Sequence, residues 1–534
     1  MADDPHRFRG HAHVMKAAGV VGLATLASRI LGFIRDMVVA GFFGAGLATD
    51  AFFVAFRLPN LLRRLFAEGS LTISFVPVFT EYLEKKSRKD AFELAAIAFS
   101  VLSVILAAVS VMGVILAPVL VRLIAPGFVA MEGKYALTVF LTRLMFPYIF
   151  FISLVALCMG ILNSLRHFAM PALAPVALNI SMIAAAVLLR GFFDEPITAL
   201  AVGVIVGGVA QLIMQFPVLV SKGMRLRPRF NFSHPGIRRI SFLMMPAVFG
   251  AAVYQVNIFV STLLASFLPQ GSVSYLYYAD RLVQLPLGIF AIAIGTASLP
   301  SFAGQVTRGE LDEFRASISF SLRLIFFVTI PATCALIILR VPIISVLFER
   351  GEFDAVSTLK TATALLYYAV GLWAFSAIRV VVSAFYALQD TKTPVRVAVV
   401  SLVVNIIMGI ILMFPLKHGG LALATSIASA VNIILLTVVL HRRTGAFLDR
   451  PFVLSVGKAC IASLVMSIVI QVVVVSFEWQ GVHSFSLRCG VLAAVIGLGL
   501  AVFAGMSYVL RSPELMMIFR EIGKKAMPKG DNDR

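Results

Sequence analysis

The sequence predicts an all-α polytopic membrane protein of about fourteen transmembrane helices, in two six-helix lobes related by pseudo-two-fold symmetry plus two extra C-terminal helices. Three observations predict it. The 534 residues are 60% hydrophobic and only 13% charged, whereas a soluble domain carries about 25% charged residues and keeps a large polar skin. The apolar residues fall in runs near the ~20 that a helix needs to cross ~30 Å of hydrocarbon. The chain also partly repeats itself at an offset near 225 residues. Mean hydropathy is +0.97, and these numbers exclude a disordered chain. A net charge of +19 would suit a nucleic-acid binder, but not when the charge is so diluted in apolar sequence.

Residues 1–15 form a polar leader, with Met15 an alternative start. The apolar stretch that follows has no small-residue cleavage site and runs on past Arg29 and Arg35. It reads as an uncleaved first helix rather than a signal peptide. Turn and charge clusters then divide the chain. The N-terminal lobe (16–221) holds spans 16–44, 48–80, 91–121, 135–162, 170–190 and 197–220. A basic linker, 222–237, leads to the C-terminal lobe (238–441), with spans 238–268, 272–304, 315–339, 358–387, 394–414 and 419–440. Spans 453–476 and 487–510 form a separate pair (453–510), and a basic tail, 511–534, begins with a short amphipathic run suited to a membrane surface. The longest segments contain Leu58-Pro59, Phe146-Pro147 or Leu285-Pro286. Each proline removes a backbone donor and kinks its helix, ordinarily for packing, although broken helices also flank transporter sites.

Basic residues test this partition, because cytoplasmic loops are enriched in them. One alternating set of loops holds twenty-eight Lys and Arg and the other set eight. The asymmetry places both termini in the cytoplasm and requires an even number of spans. The remaining nine basic residues lie within expected spans and all are arginine: Arg29, Arg35, Arg57, Arg63, Arg64, Arg143, Arg281, Arg323 and Arg379. Few acids accompany them: Asp36, Glu68 and Asp280, with Asp50 and Glu93 near span ends. A charge in hydrocarbon costs at least ~2.5–3.5 kcal/mol, so the excess must face water or an anion. Snorkelling of long stems suits Arg323 and Arg379 and extends to Arg143. It suits Arg29 poorly, since that residue lies ~20 Å along its helix from Lys16, and it suits Arg63, Arg64 and Arg281 no better. Arg29, Arg35, Arg63 and Arg281 are therefore expected to share a hydrated cationic cavity. Arginine rather than lysine points to phosphate, because its planar fork binds oxyanions in pairs.

The repeat aligns Gly46, Arg57-Leu58 and Pro59 with Gly271, Arg281-Leu282 and Pro286. It also aligns Leu165–Pro171 with Leu388–Pro394. Six spans in each half give both halves the same topology, as in transporters whose two parallel repeats enclose a substrate site with alternating access. Nothing points to catalysis. All eight histidines fall in loops or at helix ends, and no metal, nucleophile or phosphate-loop motif occurs. The four cysteines are scattered in apolar runs and read as packing residues. No cofactor is expected, and no extramembrane segment is long enough to bind ATP.

The blocks Ser28–Asp36 (SRILGFIRD) and Ala48–Gly69 (ATDAFFVAFRLPNLLRRLFAEG) closely resemble the MurJ (MviN) family. So do Phe75-Val-Pro, Tyr277–Leu282 (YYADRL) and Thr391–Pro394 (TKTP). The resemblance extends along essentially the whole chain. It implies a flippase of the bacterial inner membrane that moves lipid II, the undecaprenyl-pyrophosphate-linked peptidoglycan precursor, to the periplasmic leaflet. It also implies fourteen helices, with the last two forming a groove for the lipid tail. Arg29, Arg35, Arg63 and Arg281 match the family's cavity arginines, and Asp36, Asp50, Asn60, Glu68 and Ser274 match further polar positions. Of these, Asp36, Asn60 and Ser274 are expected to join the arginines in binding substrate. Asp50, Arg57, Arg64, Glu68, Asp280 and Gln284 are expected to support them. Gln284 stands where some members carry Glu, which leaves the cavity more positive. The seventh helix lacks the acid of sodium-coupled members and offers Gln255 and Asn257, so Asn257 and Asp390 are the candidates for ion coupling. Expected partners are lipid II, membrane phospholipids and cell-wall synthesis enzymes. A flippase for another polyprenyl-linked glycan is the alternative. A multidrug exporter would instead show unpaired cavity acids, and a non-transport scaffold would tolerate loss of the arginines.

Overall fold

The computed structural model describes residues 5–64, 71–224, 227–477, 484–517 and 520, of which residues 5–18, 20 and 247–254 are described in backbone only. Among the described residues every regular element is helical. Nine helices there are long and apolar enough to cross a membrane, or ten if one bent pair counts as a single span. The chain divides into two compact units, Met1–Ser274 with Arg350–Phe353, and Tyr275–Glu349 with Asp354–Arg534.

The first unit contains α1 (Pro5–Phe43), α2 (Leu47–Leu62), α3 (Thr72–Lys85), α4 (Arg88–Ile124), α5 (Lys134–Met145), α6 (Tyr148–Ser164), α7 (Ala169–Leu188), α8 (Thr198–Ile213), α9 (Phe216–Ser221) and α10 (Pro235–Ser266). Small residues set its closest packing. A side chain at Gly203 or Gly207 of α8 would meet Ala185 or Leu178 of α7, and one at Gly208 would meet Tyr148. These glycines let the helix backbones approach where hydrophobicity alone gives no drive to associate in lipid. Pro147 separates α5 from α6, and Gly113 of α4 leaves room for the Phe146 ring at that break. α1 stops at Gly44, which takes φ +63 and so ends the helix without strain. Helix α10, expected to open the C-terminal lobe, packs here on α3 and α4. The boundary between the compact units falls after Ser274.

The second unit continues α11 (Ser272–Pro286) from Tyr275. A π-type turn over Leu287–Ala291 follows Pro286. Then come α12 (Ile292–Thr307), α13 (Leu311–Ile338), α14 (Arg340–Phe348), α15 (Ala355–Val370), α16 (Leu372–Ala387), α17 (Lys392–Thr444), α18 (Arg450–Ser476) and α19 (Phe485–Val509). Helix α14 occupies what reads as a loop in the sequence. Its apolar run is too short to span a bilayer, yet it buries Ile344, Val346 and Phe348. Helix α17 carries both expected spans 394–414 and 419–440, broken at Lys417 (φ 50, ψ −130). Phe302, Phe314, Ile318, Phe385 and Leu436 form one core, and Met466, Ile470, Leu492 and Phe503 join α18 and α19 to Phe327 of α13.

One local geometry occurs in both units at the repeat offset. After α6, Arg166 takes φ 57, and the amides of Leu165, Arg166 and His167 donate to the carbonyls of Ile161, Asn163 and Leu162. After α16, Gln389 takes φ 58, and the amides of Leu388, Gln389 and Asp390 donate to Ala384, Tyr386 and Phe385. Both are helix ends closed by a left-handed residue, and in neither case is that residue glycine. The matched spacing of Leu165–Pro171 and Leu388–Pro394 is therefore matched backbone conformation.

Candidate functional site

In the first unit a polar cluster interrupts the apolar contact of α1 with α7. Arg35 donates from Nε (3.1 Å) and Nη2 (2.7 Å) to Asp36 Oδ1, and from Nη1 (3.0 Å) to Asn179 Oδ1. Asn179 Nδ2 in turn donates to the Ser28 carbonyl at 3.1 Å. The Arg35 side chain is 11% exposed and that of Asp36 4%. Two hydrogen bonds to one carboxylate oxygen and a third to an amide fix the guanidinium plane. Asp36 thus holds Arg35 rather than standing clear of it. Asn179 was missed in the sequence. Its only signal is an amide in the otherwise apolar run of α7.

Arg29 lies two turns earlier on α1 and is exposed. Among the described residues it makes no ion pair. At the C-terminal end of α2, the capping residue Arg63 donates from Nε to Asn60 Oδ1 at 2.9 Å, one turn back, and both residues are half-buried. Asn60 is therefore an orienting partner of Arg63. Arg57 hydrogen-bonds to the Thr262 hydroxyl of α10. Arg64 is half-buried, and Glu68 lies outside the described residues.

Asp50 and Ser274 belong to a different, fully buried assembly. Asp50 Oδ2 accepts from Lys134 Nζ and from the Gly271 amide, each at 2.8 Å. Its Oδ1 accepts from the Ser274 amide (2.9 Å) and hydroxyl (2.7 Å). The carboxylate thus caps the start of α11, where unpaired amides and the helix dipole favour a negative charge. Lys134 Nζ also sits 4.0 Å from the centroid of the Phe128 ring. Asp50 and Lys134 are each about 1% exposed. Lys134 reads as a loop residue beside Gly133, and the structure corrects that. Ser274, expected to touch substrate, is fully buried and its hydroxyl donates a hydrogen bond to Asp50.

In the second unit Arg281 Nη2 donates to the Tyr277 hydroxyl at 3.0 Å, and its guanidinium carbon lies 4.8 Å from the centroid of that ring. One turn of α11 therefore orients the charge by a hydrogen bond and a cation–π contact. Gln284 donates to Asp280, one turn before it. Arg323 Nε lies 3.8 Å from the carboxylate of the buried Glu514, an ion pair rather than a hydrogen bond, and that carboxylate accepts from Ser455 (2.8 Å) and Ser512 (2.9 Å).

The ion-coupling candidates differ. Asn257 is half-buried on α10. Asp390 lies just before α17 and accepts from the Lys392 amide (3.0 Å) and the Thr393 amide (2.9 Å) and hydroxyl (2.5 Å). It also pairs with Arg443. The Thr393 hydrogen bonds, with Arg443 beside them, hold its carboxyl down at about 2. It caps the start of α17 and pairs with Arg443. No group of three or more potential metal ligands occurs among the described residues.

A family model described as "Lipid II flippase MurJ" matches residues 39–492. A protein of Vibrio cholerae serotype O1, described as a probable lipid II flippase MurJ, is 37% identical over 504 residues, covering 93% of this chain and 96% of its own. A solved structure described as lipid II flippase MurJ in an inward closed conformation superposes with a TM-score of 0.76 at 27% identity, covering 92% of this chain and 98% of its own. An inward-facing multidrug resistance MATE family transporter shares the fold at a TM-score of 0.64 and 15% identity, over 78% of this chain and 96% of its own.

Proposed function

The chain belongs to the MurJ lipid II flippase family, and from that premise we propose that it moves lipid II from the cytoplasmic to the periplasmic leaflet by alternating access. What carries the reading, beyond membership of a transporter family, is the set of guanidinium groups that the helices hold in defined orientations. Arg35 is fixed by Asp36 and Asn179, Arg63 by Asn60, and Arg281 by Tyr277. Arg29 adds an exposed charge on α1. A pyrophosphate offers several anionic oxygens, and arginine forks bind such oxygens in pairs. Pre-orientation lowers the ordering cost that flexible cations would pay on binding.

The head group binds these arginines while the polyprenyl tail stays in lipid along α18 and α19. Asp50 and Ser274 act on structure, by capping α11, rather than on the ligand. Both termini face the cytoplasm. The charge moved with the head group couples translocation to the membrane potential, at ~2.3 kcal/mol per elementary charge per 100 mV.

Substitution tests the assignment. Arg63→Ala and Arg281→Ala should each abolish rescue of bacteria depleted of lipid II flipping, at normal expression and with the variant present in the membrane. Full rescue by either variant would overturn its role in head-group binding.

A further inference from the structure

A site unconnected with these arginines lies on the lipid-facing side of the first unit. A groove of about 370 Å³ runs along α4, lined by Phe99, Ser100, Val104, Ala107 and Phe150, with Arg227 at its mouth. A second cavity of about 380 Å³ continues it past Val111 and Ile115 to Pro147, sharing Ala107 and Phe150. The break at Pro147 creates this shape, because it separates α5 from α6 and brings Phe150 and Phe151 to the wall. The groove wall beside Arg227 is apolar in character although two serines line it. Ser100 and Ser103 donate to the Ala96 and Phe99 carbonyls of their own helix, which satisfies both hydroxyls locally.

The mouth has the opposite character. Residues 227–231 run without regular structure beside α4, tied there by the Arg229 amide donating to Ser100 Oγ at 3.0 Å and by an Arg229–Glu93 ion pair. The Arg229 charge is therefore balanced. Arg227 is exposed and makes no ion pair among the described residues. Phe230 and Phe232 beside it are 63% and 57% exposed, which suits rings lying at the boundary of hydrocarbon and water. From Ala96 to Ala107 the wall extends ~16 Å at 1.5 Å per residue. That is close to the ~15 Å of one leaflet, half of a ~30 Å core.

We propose that this groove binds one anionic phospholipid of the leaflet facing the basic end of α4, with its phosphate on Arg227 and an acyl chain along Phe99, Val104, Ala107 and Phe150. Length, apolar wall and an unbalanced cation at the mouth match the parts of such a lipid. Anionic leaflets supply it, and basic residues beside them attract it.

Native mass spectrometry of the full chain in detergent, titrated with phosphatidylglycerol or with phosphatidylcholine of the same chains, tests the site. Wild type should hold one phosphatidylglycerol more tightly than phosphatidylcholine. Arg227→Ala, on an exposed loop, should weaken phosphatidylglycerol about fivefold and leave phosphatidylcholine unchanged. Val104→Trp, at a half-exposed position, should fill the groove and weaken both lipids, and millimolar inorganic phosphate should not displace the lipid. Equal affinity for the two lipids in wild type, or unchanged phosphatidylglycerol binding in Arg227→Ala, would overturn the proposal. So would loss of lipid II binding with phosphatidylglycerol binding intact, which would give the groove to the substrate's tail.

Discussion

At the scale of single residues, charge in this protein is sorted by partner. Arg35 and Lys134 both meet a carboxylate, but Arg35 keeps 11% of its side chain exposed whereas the Lys134–Asp50 pair is sealed at about 1%. Removing one member of a sealed pair leaves an uncompensated buried charge, at about 3–5 kcal/mol. Lys134→Met should therefore sharply lower the melting temperature in detergent, and adding Asp50→Asn should recover a large part of the loss; additive losses would contradict the pairing. Asp390 gives a pH prediction. Its carboxyl lies at about 2 in the folded chain against ~3.9 when unfolded. The stability it contributes is present above about pH 4 and is lost as pH falls toward 2. Asp390→Ala should cost about 1 kcal/mol as a lost cap and leave the pH profile of transport between pH 5.5 and 8 unchanged. A shifted profile would make Asp390 a proton-coupling group. The arginines proposed to bind the head group were legible in the sequence because charge inside an apolar run is conspicuous. Lys134 was not, since its burial depends on Asp50, 84 residues away, and no local pattern reports that.

At the scale of helices, hydropathy located long apolar elements such as α4, α7, α13, α18 and α19, because their length and composition are local properties. It missed α14, whose nine residues give no span signal. The helix ends at Arg166 and Gln389 were visible as matched spacing, although their left-handed conformation was not, since neither residue is glycine. Glycine packing offers the test at this scale. A side chain at Gly207 would meet Leu178 at 2.7 Å, whereas nothing lies within 4 Å of one at Gly505. Gly207→Leu should cost about 1–3 kcal/mol by overpacking the α7–α8 contact, and Gly505→Leu should be close to neutral in the same melting assay. Equal effects would mean that α7 and α8 do not depend on close approach.

At the scale of the whole molecule, the proposed function divides the 45 Lys and Arg into loop residues that would orient the chain in the membrane and intramembrane arginines that would serve a ligand. Transport then depends on the second group and insertion on the first. The most direct test is transfer of lipid II between leaflets of liposomes containing the purified chain, beside the Arg63→Ala and Arg281→Ala variants inserted to the same level. The account predicts protein-dependent transfer in wild type, accelerated by a potential that favours movement of the anionic head group, and transfer at the protein-free rate in both variants. Transfer by the variants at the wild-type rate, or none by wild type above protein-free liposomes, would contradict it.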